Sequence, residues 1–163
     1  MQPTPLKKIR ILVVFFMIML ALSGITAFPV YTELHWLKQQ GLMEGDGFVA
    51  TWLSFVYNAV ADTQQRYPFL FYGYDWLAFA HLAIAALFYG VYRDPVRNKF
   101  IISWGMFCCI GIIPLAFICG PIRGIPLNHI LIDCSFGVLG IIPLLVCKKY
   151  IHQLEKLNTQ NRQ

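Results

Sequence analysis

Four long apolar runs, separated by short polar segments, dominate the chain. They extend over residues 11–31, 67–92, 100–120 and 127–147. A helix needs about 20 mostly apolar residues to cross roughly 30 Å of hydrocarbon, and each run meets that length. The pattern therefore predicts an all-α integral membrane protein with a bundle of four transmembrane helices. Residues 1–149 form its single domain, and residues 150–163 form a cytoplasmic tail with a frayed helix end.

The first run has two interpretations. Lys7, Lys8 and Arg10 precede it, and the small residues Ser23, Gly24 and Ala27 follow its apolar centre, as in a secretory signal peptide. The run is nevertheless longer than the usual signal-peptide core of about 7–15 residues. We therefore interpret it as the first transmembrane helix.

An amphipathic helix is predicted over residues 48–61, in the first outer loop. Phe48, Trp52, Phe55, Val56, Ala59 and Val60 recur at spacings of three and four, which places them on one face. The segment is too polar at its end to span a membrane, so we expect it to lie along the surface with Trp52 and Tyr57 at headgroup depth. Packing of this face on the bundle is the compatible alternative.

Composition and charge agree with a membrane protein. The chain is 58% hydrophobic and 13% charged, whereas soluble domains are about 25% charged. The net charge of +5 is divided into small groups beside the ends of apolar runs, which indicates membrane orientation and not nucleic-acid binding. Ten of the 13 basic residues fall on one side of the four-span topology. The positive-inside rule then predicts a multi-pass plasma (inner) membrane protein with both termini in the cytoplasm.

The five cysteines show no CxxC pair and no zinc-finger spacing with histidine. Cys108 and Cys109 adjoin within the third apolar run, and Cys134 and Cys147 lie within the fourth. A cysteine in such a run behaves as a small hydrophobic residue. We expect all of them to be packing residues.

Four ionisable residues lie inside the predicted spans: Asp75 and His81 in the second, and His129 and Asp133 in the fourth. A charged group at that depth is costly, and it usually faces a partner, a cavity or a bound molecule. Counting about 1.5 Å per residue from the basic anchors places Asp75 level with His129, and Asp133 near His81. Glu33, His35 and Arg123 are expected to join them in the outer third of the bundle.

Two classes of function fit this polar cluster. In the first, the cluster and its aromatic surroundings bind a small amphipathic ligand, a quinone or a lipid headgroup, with proton transfer by His81 and Asp133, or bind a divalent metal through His129, Asp133 and Asp75. The aromatic residues are Trp36, Tyr67, Tyr72, Tyr74 and Trp76. In the second, the chain is a non-catalytic membrane subunit or scaffold whose polar residues fix helix packing and which binds a membrane-protein partner or its own copy. A bis-histidine haem is disfavoured because His81 and His129 differ in depth by roughly 10 Å. No nucleophile motif such as GxSxG is present, so enzymatic activity is left open.

Overall fold

The structure, a computed structural model, describes residues 4–160 and is 86% helical. No strand occurs among those residues. The helices are α1 (Pro5–Ala27), α2 (Val30–Gln39), α3 (Phe48–Arg66), α4 (Tyr72–Leu87), α5 (Tyr89–Arg93), α6 (Lys99–Ile122) and α7 (Leu127–Gln160), with a 3₁₀ helix at Pro68–Phe71.

Four helical segments of the described chain are long and apolar enough to cross a membrane, which confirms the predicted number of candidate spans. They are Pro5–Ala27, Pro68–Arg93, Lys99–Ile122 and Leu127–Gln160. The second of these is composite, because the 3₁₀ helix, α4 and α5 follow one another along it. The sequence thus predicted the spans from their apolar length alone.

The fourth candidate span, α7, is longer than predicted. We expected a span ending at residue 147 and a frayed tail, but α7 continues as regular helix to Gln160. The polar extension makes its own hydrogen bonds and ion pairs, including Lys99 to Glu155 at 2.7 Å. Helical hydrogen bonds do not require apolar side chains, so the end of the apolar run does not mark the end of the helix.

The described chain divides into two compact units. One contains the chain up to Ile18 together with the chain from Ala85 onward, and we call it the α6–α7 unit. The other is Met19–Ile84, which we call the α2–α4 unit. Each unit has its own packing.

In the α6–α7 unit, α6 and α7 pack as antiparallel neighbours. Gly105 contacts Leu144, Cys109 contacts Gly137, and Gly120 contacts Ile130, so position rises on one helix as it falls on the other. The connection reverses at Gly124, whose φ of 68° lies in the left-handed region that glycine adopts without strain. The antiparallel pairing was expected from this short proline- and glycine-rich link. Cys109, Cys134 and Cys147 are buried as expected, but Cys108 and Cys119 are exposed, so the prediction for the cysteines is wrong at those two positions.

In the α2–α4 unit, α2 and α3 form a helical hairpin around Leu34, Met43 and Tyr57. The α3 face that packs there contains Leu53, Val56, Tyr57, Val60 and Ala61. The predicted face shares only Val56 and Val60 with it, and Phe48 and Phe55 of that face are exposed. Tyr57 lies in the hairpin core, where it is only 9% exposed, and its depth relative to the headgroups stays a prediction.

Candidate functional site

The candidate residues predicted from the sequence are distributed over both units. Glu33, His35, Asp75 and His81 belong to the α2–α4 unit, and Arg123, His129 and Asp133 belong to the α6–α7 unit. Glu33, Asp75 and Arg123 are exposed, and the other four are half-buried. The pairings of Asp75 with His129 and of His81 with Asp133 join residues of different units, and they stay predictions.

His129 and Asp133 lie one turn apart on α7, where they share a face. His129 Nε2 is 3.8 Å from Asp133 Oδ1, and the two side chains are 41% and 45% exposed. The attraction between them requires a protonated imidazole. The pair is thus local to α7, as expected for positions i and i+4.

His81 is satisfied by its own helix. Its Nδ1 donates to the Leu77 carbonyl oxygen at 2.8 Å, and that nitrogen carries the proton because a carbonyl oxygen only accepts. The backbone of α1 passes close by at Gly24, where an added Cβ would lie 2.8 Å from the Ala78 carbonyl oxygen and 3.0 Å from His81 Cβ. The sequence interpretation gave Gly24 no role in helix packing. A small residue inside an apolar run was the available signal.

His35 belongs to a polar aromatic cluster between α2 and α3. Its Nδ1 lies 3.1 Å from the Tyr57 hydroxyl, and its Nε2 lies 3.1 Å from the Gln39 amide nitrogen. The Tyr57 ring is stacked on Tyr31 at 6.3 Å between centroids, and the Lys38 ammonium lies 4.4 Å from its centroid. Both imidazole nitrogens and the phenol are occupied by partners in the hairpin. This cluster therefore stabilises the packing of α2 against α3.

Asp75 has no such partner. No hydrogen bond or ion pair to its carboxylate occurs within residues 4–160, although it lies in a helix of apolar side chains. An unpartnered carboxylate among apolar side chains is energetically unfavourable. The position of Asp75 in the first turn of α4 offsets part of this cost, because the positive end of the helix dipole stabilises an anion. It lies about 10 Å along the helix from Pro68.

Three aromatic side chains surround this carboxylate on one face of α4. Tyr72, Asp75, Trp76 and Phe79 line a shallow groove of about 260 Å³. Their spacing of three and four residues places them on the same side of the helix. Trp76 makes edge-to-face contacts with Tyr72 at 6.0 Å and with Phe79 at 6.1 Å between centroids. These contacts hold the rings around Asp75, and we call this set the α4 groove.

The α4 groove suits a ligand with a positive group and an apolar part. Aromatic faces attract cations, ammonium groups with alkyl substituents above all, and a carboxylate pairs with the same charge. Sequence reasoning selected Asp75, Tyr72 and Trp76 but missed Phe79. The spacing of seven residues from Tyr72 to Phe79 was the signal for it.

A metal site receives no support within residues 4–160. No group of three or more His, Cys, Asp or Glu side chains is arranged there to hold an ion. The predicted ligands His129 and Asp133 are two residues on one helix, whereas protein metal sites of this kind use three or four ligands.

Comparison with protein-family models, with curated proteins and with solved structures finds no match to this chain. Function is therefore inferred from the geometry of the chain itself.

Proposed function

We propose that the protein resides in a plasma (inner) membrane and binds a small amphipathic ligand in the α4 groove. The ligand is a lipid headgroup that bears an ammonium group. One observation carries this proposal: Asp75 is an unpartnered carboxylate between Tyr72, Trp76 and Phe79. An ammonium group placed there would pair with the carboxylate and lie against the ring faces, and the lipid chains would follow the apolar surface of α4.

The same observation favours one of the ligands expected from the sequence. Quinone carbonyls accept hydrogen bonds, and an ionised carboxylate has no proton to donate. A metal ion would need more ligands than Asp75 supplies. An ammonium headgroup fits both the charge and the rings.

The proposed topology has both termini in the cytoplasm, with α3 lying at the outer surface. The exposed side chains of Phe48 and Phe55 support that place for α3, because they lie seven residues apart on the side of the helix opposite the hairpin core. Reporter fusions after Lys99 and at the C-terminus are expected to be cytoplasmic. A fusion near Gly45 is expected to be outside, and a cytoplasmic signal from it would contradict the topology.

The test of the ligand is purification in an uncharged detergent followed by mass spectrometry of the bound lipids. We expect the wild type to retain an ammonium-bearing lipid and Asp75→Asn to lose it, because the amide keeps the shape and removes the charge. Asp62→Asn is the matched control. Asp62 is an exposed carboxylate of the same unit that pairs with Arg66 at 2.8 Å, outside the α4 groove. Equal lipid retention in the two variants would contradict the proposal.

The second candidate function is that of a non-catalytic membrane subunit. It is favoured by the way His81 and His35 are satisfied by neighbouring groups of the same unit, which needs no ligand. Here the same purification would yield a protein partner, or a second copy of the chain, and no bound small molecule.

A further inference from the structure

A second pocket lies within the α6–α7 unit, where the polar extension of α7 passes the start of α6. It has a volume of about 470 Å³, and its polar lining consists of Lys99, Ser103, Lys148, His152 and Glu155. It is larger than the α4 groove. Basic side chains outnumber acidic ones in its lining, whereas the charged side chain of the groove is the acidic Asp75. None of the residues assigned to the proposed function takes part in it.

The charges in this pocket are organised around Glu155. Its carboxylate accepts a hydrogen bond from Lys99 Nζ at 2.7 Å and lies 3.7 Å from His152 Nδ1. The Lys99 hydrogen bond, more than any other contact, lowers the pKa of Glu155, which therefore stays ionised. Lys148 makes no hydrogen bond or ion pair within residues 4–160. The pocket thus holds one ammonium with a partner and one without.

The start of α6 adds to the positive potential. No side chain caps this helix, and its first turn contains no acidic residue. The Asn98 amide, which precedes the helix, donates instead to the carbonyl oxygens of Gly90 and Asp94, at 3.0 and 2.9 Å. The positive end of the helix dipole is therefore not neutralised on the pocket side.

The remaining lining is apolar. Ile102 and Ile151 are buried at the base of the pocket, and Phe100 is 66% exposed beside it. Lys148 directly follows the apolar run that ends at Cys147. The pocket therefore joins cationic groups to an apolar surface at the level where α7 changes from apolar to polar.

We propose that this pocket binds the phosphate of an anionic phospholipid. Lys148 and Lys99 donate to the phosphate oxygens, Ser103 offers its hydroxyl, and Phe100 contacts the first carbons of the lipid chains. Basic pockets between transmembrane helices at an interface bind headgroups of this chemistry. The proposal is independent of the ligand assigned to the α4 groove.

The test compares lipid binding by native mass spectrometry of the whole chain in an uncharged detergent. Phosphatidylglycerol and phosphatidylcholine with identical chains are titrated separately, with every variant made in the Asp75→Asn chain so that the α4 groove does not take up phosphatidylcholine. We expect phosphatidylglycerol to bind more tightly at this pocket, and Lys148→Gln to weaken that binding about fivefold, the effect of one basic residue near an anionic lipid. Lys149→Gln is the matched control, because Lys149 is exposed on the same helix and does not line the pocket. Lys148→Arg retains the charge, so it should bind as the wild type does.

Three results would overturn the proposal. Equal losses in Lys148→Gln and Lys149→Gln would indicate attraction by diffuse surface charge. Equal affinity for the two lipids would exclude recognition of an anionic headgroup. Displacement of phosphatidylglycerol by an equal concentration of inorganic phosphate would assign the pocket to a soluble anion. Thermal unfolding of each variant verifies that the fold is intact, and the exposed Lys148 side chain gives no reason for a change.

Discussion

The α6–α7 pair and the α2–α3 hairpin pack their helices by different means. In the first, glycine brings the backbones together: an added Cβ at Gly137 would overlap the carbonyl oxygen of Cys109. In the second, α2 and α3 meet through rings, with Tyr57 stacked on Tyr31 and hydrogen-bonded to His35. Packing at a glycine depends only on the small volume of that residue, whereas packing through tyrosine and histidine rings also provides hydrogen-bond partners for their polar atoms.

This difference bears on where a ligand is expected. Where the glycines bring the backbones together, no room is left for a bound molecule between α6 and α7, and the pocket at Lys148 lies beyond that stretch. In the α2–α4 unit the aromatic hairpin supplies partners to His35, and the Leu77 carbonyl oxygen accepts from His81, but Asp75 has no partner and lies beside three rings. Both histidines thus have partners within the unit, whereas Asp75, in the apolar helix α4, has none within residues 4–160, and a ligand is expected there.

Gly137→Ala should have the largest effect, because the new methyl group overlaps backbone and cannot move aside. We expect a loss of about 1–3 kcal/mol of unfolding free energy, measured by thermal or denaturant unfolding in detergent. Gly111→Ala is the control, since nothing lies within 4 Å of a Cβ at that position of α6. Equal stability of the two variants would contradict the account of glycine packing.

Tyr57→Phe should have an intermediate effect on the other unit. The ring stays, so the stacking on Tyr31 remains, but His35 loses its hydroxyl partner. We expect a loss of about 1 kcal/mol, the usual net value of one hydrogen bond. Tyr67→Phe, at an exposed tyrosine, is expected to cost nothing. If Tyr57→Phe were equally neutral, the polar contact would not contribute to the packing of the hairpin.

Lys99→Gln should have the smallest effect, a change in the pKa of Glu155. The Lys99 ammonium lowers the pKa of Glu155 from its ordinary value of 4.5. A lowered folded-state pKa stabilises the protein above pH 4.5, and this contribution is lost as the pH falls through the folded-state value. In Lys99→Gln the Glu155 carboxyl should titrate at higher pH, as measured by NMR of labelled glutamate. Lys156→Gln should leave the pKa of Glu155 unchanged. The same pKa of Glu155 in both variants would contradict the conclusion that Lys99 lowers it.

The long apolar runs made the spans predictable, because the length of an apolar run depends on local sequence alone. The short helix α2 was missed: Glu33, His35 and Lys38 make it polar, and its helical signal is limited to spacings such as Leu34 to Leu37. On α3 the sequence offers two apolar stripes. Only the position of α2 decides that the stripe with Tyr57, and not the one with Phe48, is buried.

The sequence identified most of the candidate residues, but it could not show which of them lie close together. Asp75 stood out because a carboxylate in an apolar run is rare. Depth along a helix and the angle between two of its residues follow from residue number, but the rotation of one helix relative to another does not, so the count could not tell which neighbouring helix faces His81. The pocket at Lys148 was missed because α7 was expected to fray beyond residue 147, whereas His152 and Glu155 lie on regular helix.

The most direct test of the α4 groove is a ligand-induced shift in thermal unfolding. A short-chain phosphatidylcholine, which carries an ammonium group, is added to the protein in an uncharged detergent. Ligand at 100 times its dissociation constant stabilises a protein by about 2.7 kcal/mol. The wild type, Asp62→Asn and Lys148→Gln are expected to shift equally to higher temperature, and Asp75→Asn is expected not to shift. An undiminished shift in Asp75→Asn would contradict the assignment of the groove.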